Sequence, residues 1–212
     1  MTTRTAPRKR LTAEARREVI GRAATEVFAE HGYLGASVEE IARRSGVSVP
    51  VVYDHFASKR TLYEHLLEQH YSELRSIWFV HAGSGDTLGS WLSRAIDGWF
   101  EYVHAHRFAG RMLFRDTTGD PAMAAMHRQI QASSRGALLP LLELASGSAG
   151  SGLDDALDVE LAWETMRAVL QGLALWWYEH PDVPHERIVT TAMNSLWLGL
   201  DRYLGGEEWR PT

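Results

Sequence analysis

The sequence contains no cysteine, only two lysines, and no long apolar run. Lack of cysteine rules out disulfides, thiolate zinc sites, iron–sulfur ligation and a thiol nucleophile. The longest strongly apolar stretch, residues 168–178, is well short of the ~20 residues a membrane span needs. Residues 1–10 are basic but lead into no apolar core, so no secretory signal is read there. A soluble, cytoplasmic chain with no membrane partner is the expectation. No HExxH, P-loop, dinucleotide fingerprint or nucleophile elbow is present. His104 and His106 lie two residues apart, and on a helix such a pair does not converge on one ligand. No catalytic residue, metal or cofactor is therefore assigned, and a helical enzyme is the weakest of the competing classes.

Present instead is a 212-residue chain, 45% hydrophobic and 23% charged, long enough to bury roughly 70% of its unfolded surface. Convincing strand alternation is also lacking, and apolar positions recur at helical spacing almost throughout. Thr12 can cap a helix to about residue 30, which Gly32 ends. Ser37, with Glu40 three residues on, has the form of a capping box opening a short helix over 38–44. Gly46 offers that helix a left-handed exit, and Ser48 can cap the next short one. Ser58 opens a longer helix toward residue 80. Beyond a Gly/Ser break at 83–85, Asp86 can open a helix to about 106, and a short one is expected over 107–114. Asp120–Pro121 starts another running to about 144, with Pro140 disturbing its end. Residues 146–152 have linker composition. Two strong helices, about 154–179 and 184–204, finish the chain, and Gly205–Gly206 stops the last. The spacing thus predicts an all-α protein of about nine helices.

Charge is distributed unevenly. Through Arg60 there are eleven Lys and Arg against seven Asp and Glu, a net of +4, whereas the remainder nets −9. A small basic module on an acidic body suits a polyanionic partner. The same sixty residues hold the densest pattern: Gly32-Tyr33, Ser37-Val38-Glu39-Glu40-Ile41-Ala42, Ser45-Gly46-Val47-Ser48, Val52-Tyr53-Asp54-His55-Phe56-Ala57-Ser58-Lys59 and Leu62. This run, about residues 12–67, resembles the TetR-family helix-turn-helix signature. The resemblance implies a homodimeric, ligand-responsive transcriptional regulator, usually a repressor, that binds a double-stranded DNA operator. It also implies three parts: a basic arm over 1–11, a three-helix DNA-binding domain over 12–60, and a helical effector-binding and dimerisation domain over 61–212.

The residues support that reading by themselves. Ile41, Ala42, Val47, Val52 and Phe56 can seat two helices too short to be stable alone. Ser48, Val49, Val51, Tyr53 and His55 are then left for the outward face of the second, which would enter the major groove. This reader has no Arg, Lys, Asn or Gln, so Val49 and Val51 would meet thymine methyls while Ser48 and Tyr53 add hydrogen bonds. Phosphate contacts would carry much of the affinity. Lys59, His55 and Tyr53 match family phosphate-contacting positions, Ser37 offers a hydroxyl, and Arg4, Arg8, Lys9 and Arg10 form a basic arm.

In the body, Trp91, Trp99, Phe114, Met123, Met126, His127 and Trp163 are the candidates to line a pocket for a small, mainly apolar effector. Arg107, Arg111 and Arg115 recur every four residues and could receive an anionic head group. Helix 154–179 is apolar on nearly every side, which calls for cover from outside one small core. Val169, Leu173 and Trp177, with Ala192, Leu196 and Gly199 from the last helix, are the expected homodimer interface. A ligand-independent architectural DNA-binding protein is the competing non-enzymatic class.

Overall fold

In the computed structural model, residues 12–80, 87–115, 120–146 and 156–204 are described. All of their regular structure is helical: α1 (Ala13–Gly35), α2 (Val38–Ser45), α3 (Val49–His55), α4 (Lys59–Val80), α5 (Leu88–Ala105), α6 (Arg107–Phe114), α7 (Pro121–Ser146), α8 (Ala156–Glu179) and α9 (His185–Leu204). The basic arm at 1–11, the Gly/Ser break at 83–85, residues 147–152 of the linker-like segment and Gly205–Gly206 lie outside the described residues.

Short polar side chains start five of the helices, while Ser48, expected to cap α3, makes no such bond. Thr12 Oγ1 accepts the Ala15 amide at 3.1 Å, Ser37 Oγ that of Glu40 at 3.2 Å, and Ser58 Oγ that of Thr61 at 3.0 Å. Asp120 Oδ1 accepts the amides of Ala122 and Met123, at 2.9 and 3.2 Å, with Pro121 in the first helical position, where no amide is needed. Thr87 caps α5, accepting the Ser90 amide at 3.3 Å. Asp86, the residue expected to open that helix, is outside the described residues. Glycine is required where the backbone turns left-handed: Gly32 (φ 68°) interrupts α1, and Gly46 (φ 67°) closes α2. α7 continues through Pro140 to Ser146, two residues past the expected end.

The chain separates into two compact units, residues 1–66 and 67–212, so α4 contributes to both. In the first, α1 packs on α2 and α2 on α3. Its core is Ile20, Val27, Phe28, Ile41, Val52, Phe56, Leu62 and Tyr63, all at most 2% exposed. Phe28 meets Tyr63 edge to face at 4.8 Å. In the second, α5 packs on α9, α6 on α8, and α8 on α9, around Leu92, Ile96, Phe100, Leu113, Leu170, Trp177 and Ala192.

Candidate nucleic-acid interface and effector cavity

α3 is seven residues long and buries only Val52 fully. Such a helix has no independent stability, so its neighbours must hold it. Val52 and Phe56 supply the apolar seat, both 2% exposed. Arg17 adds a polar tie: its Nη1 donates to the His55 carbonyl at 2.8 Å while its guanidinium lies 4.2 Å over the Phe56 ring. That orphan carbonyl at the helix end thereby gains a charged partner. Lys59 performs the same service for α1. Its Nζ donates to the carbonyls of Tyr33 at 2.8 Å and Ala36 at 2.9 Å, and stands 4.7 Å over the Tyr33 ring.

α2 is fastened by charge. Arg44 forks onto both oxygens of Glu30, at 2.9 and 2.6 Å, and donates through Nε to Glu40 at 2.8 Å. Arg43 makes two further bonds to Glu40, at 2.8 and 2.6 Å. These guanidinium bonds hold the Glu40 carboxyl down to about 2, and Arg44 likewise lowers Glu30. The capping box is accordingly one-sided: Ser37 caps Glu40, but the Glu40 carboxylate is engaged with the two arginines.

The outward face left by these ties includes Ser48, Pro50, Tyr53 and Asp54, all exposed, with Val49, Val51 and His55 half-buried. Tyr53 is 47% exposed, and Ser48 makes no cap bond with its side chain. Ser37 is exposed at the start of α2, whereas the half-buried Lys59 is committed to two carbonyls. Sequence reasoning missed the roles of Arg17 and Arg44, and the presence of Pro50 and Asp54 on this face. A helical wheel over 49–55 would have placed Pro50 and Asp54, but no local signal pairs Arg17 with a carbonyl 38 residues away.

The second unit holds a cavity of about 540 Å³, counting its open mouth, between faces of α4, α5, α6, α7 and α8. Its apolar wall is Leu74, Trp78, Trp99, Phe114, Trp163, Met166 and Leu170. Trp99 and Phe114 stack at 5.4 Å. Polar groups occupy the remainder: Tyr71, Arg75, Gln131, Ser134, Arg167 and Gln171. Tyr71 Oη donates to the Leu113 carbonyl at 3.3 Å and accepts Gln131 Nε2 at 3.2 Å. Arg167 is occupied by Glu164, at 2.8 and 2.5 Å, and by Gln171 Oε1 at 2.8 Å.

Of the seven expected lining residues, Trp99, Phe114 and Trp163 meet at this cavity. Trp91 packs behind Trp78, its Nε1 donating to the Trp78 carbonyl at 3.3 Å. Met123, Met126 and His127 are buried nearer the start of α7. Burial lowers the His127 pKa, opposed by a bond to the Leu113 backbone. Residues 127, 131 and 134 are spaced as one helix face, so the face was readable in the sequence. Eight residues from Met126 to Ser134 are about 12 Å of helix, and periodicity carries no information about height. Arg107 and Arg111 lie elsewhere, 5.0 and 4.8 Å from the Tyr178 ring.

Of the expected interface residues, Trp177, Ala192 and Leu196 are buried within this one chain, at 3%, 0% and 8% exposure. Trp177 Nε1 donates to the Val183 carbonyl at 2.8 Å, tying down the turn before α9. Val169 and Leu173 are half-buried, and the surroundings of Gly199 lie outside the described residues. α8 instead exposes Leu157, Leu161, Ala168, Gly172 and Trp176, spaced as a single face.

Elsewhere in this unit, His70 Nδ1 shares a 2.6 Å hydrogen bond with Tyr102 Oη. Burial pushes His70 down to about 4, helped by His106 and opposed by Glu73, while burial and Glu73 push Tyr102 up. Among the described residues no three His, Asp or Glu side chains are grouped to hold a metal ion, and no helix is long and apolar enough to cross a membrane.

Comparison with known proteins agrees with this geometry. Residues 20–66 match the family described as bacterial regulatory proteins, tetR family. The chain is 32% identical over 139 residues to the HTH-type transcriptional activator FasR of Mycolicibacterium smegmatis, covering 65% of this chain and 64% of that one. It is 26% identical over 106 residues to an HTH-type transcriptional regulator of Haemophilus influenzae, covering 50% of this chain and 52% of the relative. The match thus spans less than two thirds of the length of either relative. Among solved structures, a TetR-like transcriptional regulator from Rhodococcus superposes with a TM-score of 0.73 at 21% identity, covering 91% of this chain and 99% of that one. FadR from Bacillus subtilis, solved in complex with stearoyl-CoA, gives 0.70 at 20% identity, covering 90% and 99%.

Proposed function

We propose that this chain, whose residues 20–66 match the tetR family, is a homodimeric transcriptional regulator of that family. In this reading residues 12–60 bind a palindromic operator, assisted by the arm at 1–11, and residues 61–212 bind a small, mainly apolar effector and a second copy. The observation that carries it is the α2–turn–α3 unit, held rigid by Arg17, Arg44 and Lys59 while Ser48, Val49, Val51 and Tyr53 face outward. A helix so presented suits the major groove, with Ser37 and the free edge of α3 near phosphates.

The exposed stripe on α8, apolar except for Thr165, supports the homodimer, because a largely apolar face on a monomer marks an interaction surface. The aromatic cavity supports the effector, as does the stearoyl-CoA held by FadR, a protein of the same fold. An effector that prefers one shape of the chain must change its DNA affinity, typically by about 5- to 150-fold. Operator binding without effector would block a promoter, so repression is the sign adopted. The relative named an activator makes the opposite sign the outcome to check.

Selection from random duplex DNA tests the reading. The expected product is a palindrome bound with steep salt dependence, and Tyr53→Ala should weaken it. Binding with no sequence preference would leave an architectural protein. Light scattering should give a dimer, and Ala168→Arg should convert it to monomer; an unmodified monomer at micromolar concentration would sink the homodimer.

A further inference from the structure

We propose that the cavity takes an amphipathic monocarboxylate, with its carboxylate accepting from Ser134 Oγ and pairing with Arg75. This rests on the effector-binding reading above and gives that effector a chemical class.

Three observations converge. Ser134 lines the cavity at 8% exposure, and its hydroxyl is the buried side-chain polar atom that no protein group satisfies among the described residues. A buried hydroxyl without a partner is destabilising, so a ligand oxygen at that point recovers what the fold leaves unmade. Arg75 lines the same cavity half-buried and has no hydrogen-bond or ion-pair partner among the described residues. The other lining charge is already neutralised, since Arg167 is paired with Glu164. The cavity therefore has a net positive charge from Arg75, and a guanidinium recognises a carboxylate by matching its two oxygens. The rest of the wall is apolar and largely aromatic, built from Trp78, Trp99, Phe114 and Trp163. An apolar body against those rings and an anionic end at Ser134 and Arg75 satisfies both halves of the lining at once.

Other polar groups at the cavity do not compete for this role. Tyr71 already donates to Leu113 and accepts from Gln131, and Gln171 accepts from Arg167. A cationic amphiphile would meet Arg75 with no carboxylate left to receive it. A neutral alcohol would satisfy Ser134 but leave Arg75 without a counter-charge.

Calorimetric titration of the full-length protein with decanoate, decanol, decylamine and decanoyl-CoA tests the assignment. Decanoate should bind at least tenfold more tightly than decanol, and decylamine should not bind. Arg75→Gln should abolish the preference for the acid while leaving decanol affinity unchanged, and Arg75→Lys should restore part of it. Ser134→Ala should weaken decanoate about tenfold and leave the fold intact. Equal affinity for acid and alcohol overturns the proposal, as does no decanoate binding, or decanoyl-CoA binding that is tighter than decanoate and survives Arg75→Gln. Operator titration with and without decanoate separates the two claims. Carboxylate binding that leaves DNA affinity unchanged removes the effector reading and keeps the site. DNA release by decanol or decanoyl-CoA alone keeps the effector reading and removes the carboxylate.

Discussion

The two units of this chain solve the same packing problem with different means. The first has two helices of eight residues or fewer, and it adds polar ties of long sequence separation: Arg44 to Glu30, Lys59 to Tyr33 and Ala36, Arg17 to His55. Every donor in those ties finds an acceptor. The second unit has one helix as short, α6, and long-range polar ties of its own, from Gln131 to Tyr71 and from Tyr71 to Leu113, but its bulk comes from larger side chains, with every one of the eight tryptophans at residue 78 or beyond. Among the described residues it leaves a cavity with an unsatisfied hydroxyl, Ser134, and an unpaired guanidinium, Arg75, in its lining. The short helices of the first unit are thus fastened by charged groups reaching backbone and carboxylate acceptors, whereas the cavity wall of the second keeps polar groups that no described residue satisfies.

The largest expected effect tests whether the units are separate. Phe28→Ala removes a ring buried against Tyr63 and should cost about 3–5 kcal/mol. Because tryptophan emission reports only residue 78 onward, loss of helicity should begin at lower temperature than the emission change. Coincident shifts in both signals would merge the two units into one cooperative block.

Acid should act on the second unit. His70 is held near 4 against an ordinary 6.5, so the unfolded chain takes up its proton first as pH falls. The contribution of His70 is complete above about pH 6.5 and is lost progressively down to about pH 4, roughly 3 kcal/mol in all. Urea midpoints followed by tryptophan emission should fall across that window, and His70→Gln should flatten the curve. An unchanged slope in that variant would assign the acid sensitivity elsewhere.

Arg44→Met should cost the first unit about 1–2 kcal/mol, more than an isolated surface pair because one guanidinium joins two carboxylates. Glu30→Gln combined with it should add little, since both remove the same bond. Full additivity in that double variant would mean the tie carries no coupling. Smallest of all, Ser134→Ala should leave the second unit unchanged or stabilise it by up to ~1 kcal/mol, because it removes an unsatisfied buried hydroxyl. A clear loss of stability would show the hydroxyl already satisfied.

The first unit was the more legible in sequence because its signals are local. Thr12, Ser37 and Ser58 cap within three residues of themselves, and Gly46 turns the chain where its own φ demands it. The all-α class, the helix-turn-helix and most helix ends follow from such short-range chemistry and from the period of the apolar residues. Tertiary structure decided what those rules cannot reach. It made Trp177, Ala192 and Leu196 core within one chain and left Leu161 and Trp176 outside. It drew Trp99, Phe114 and Trp163 to one cavity but set Met123 and Met126 lower on the same helix that brings Ser134 there. It clasped Arg44 onto Glu30, fourteen residues away in sequence. In each case the sequence determines which face of a helix a residue occupies, while the rotation and height of neighbouring helices determine what that face meets.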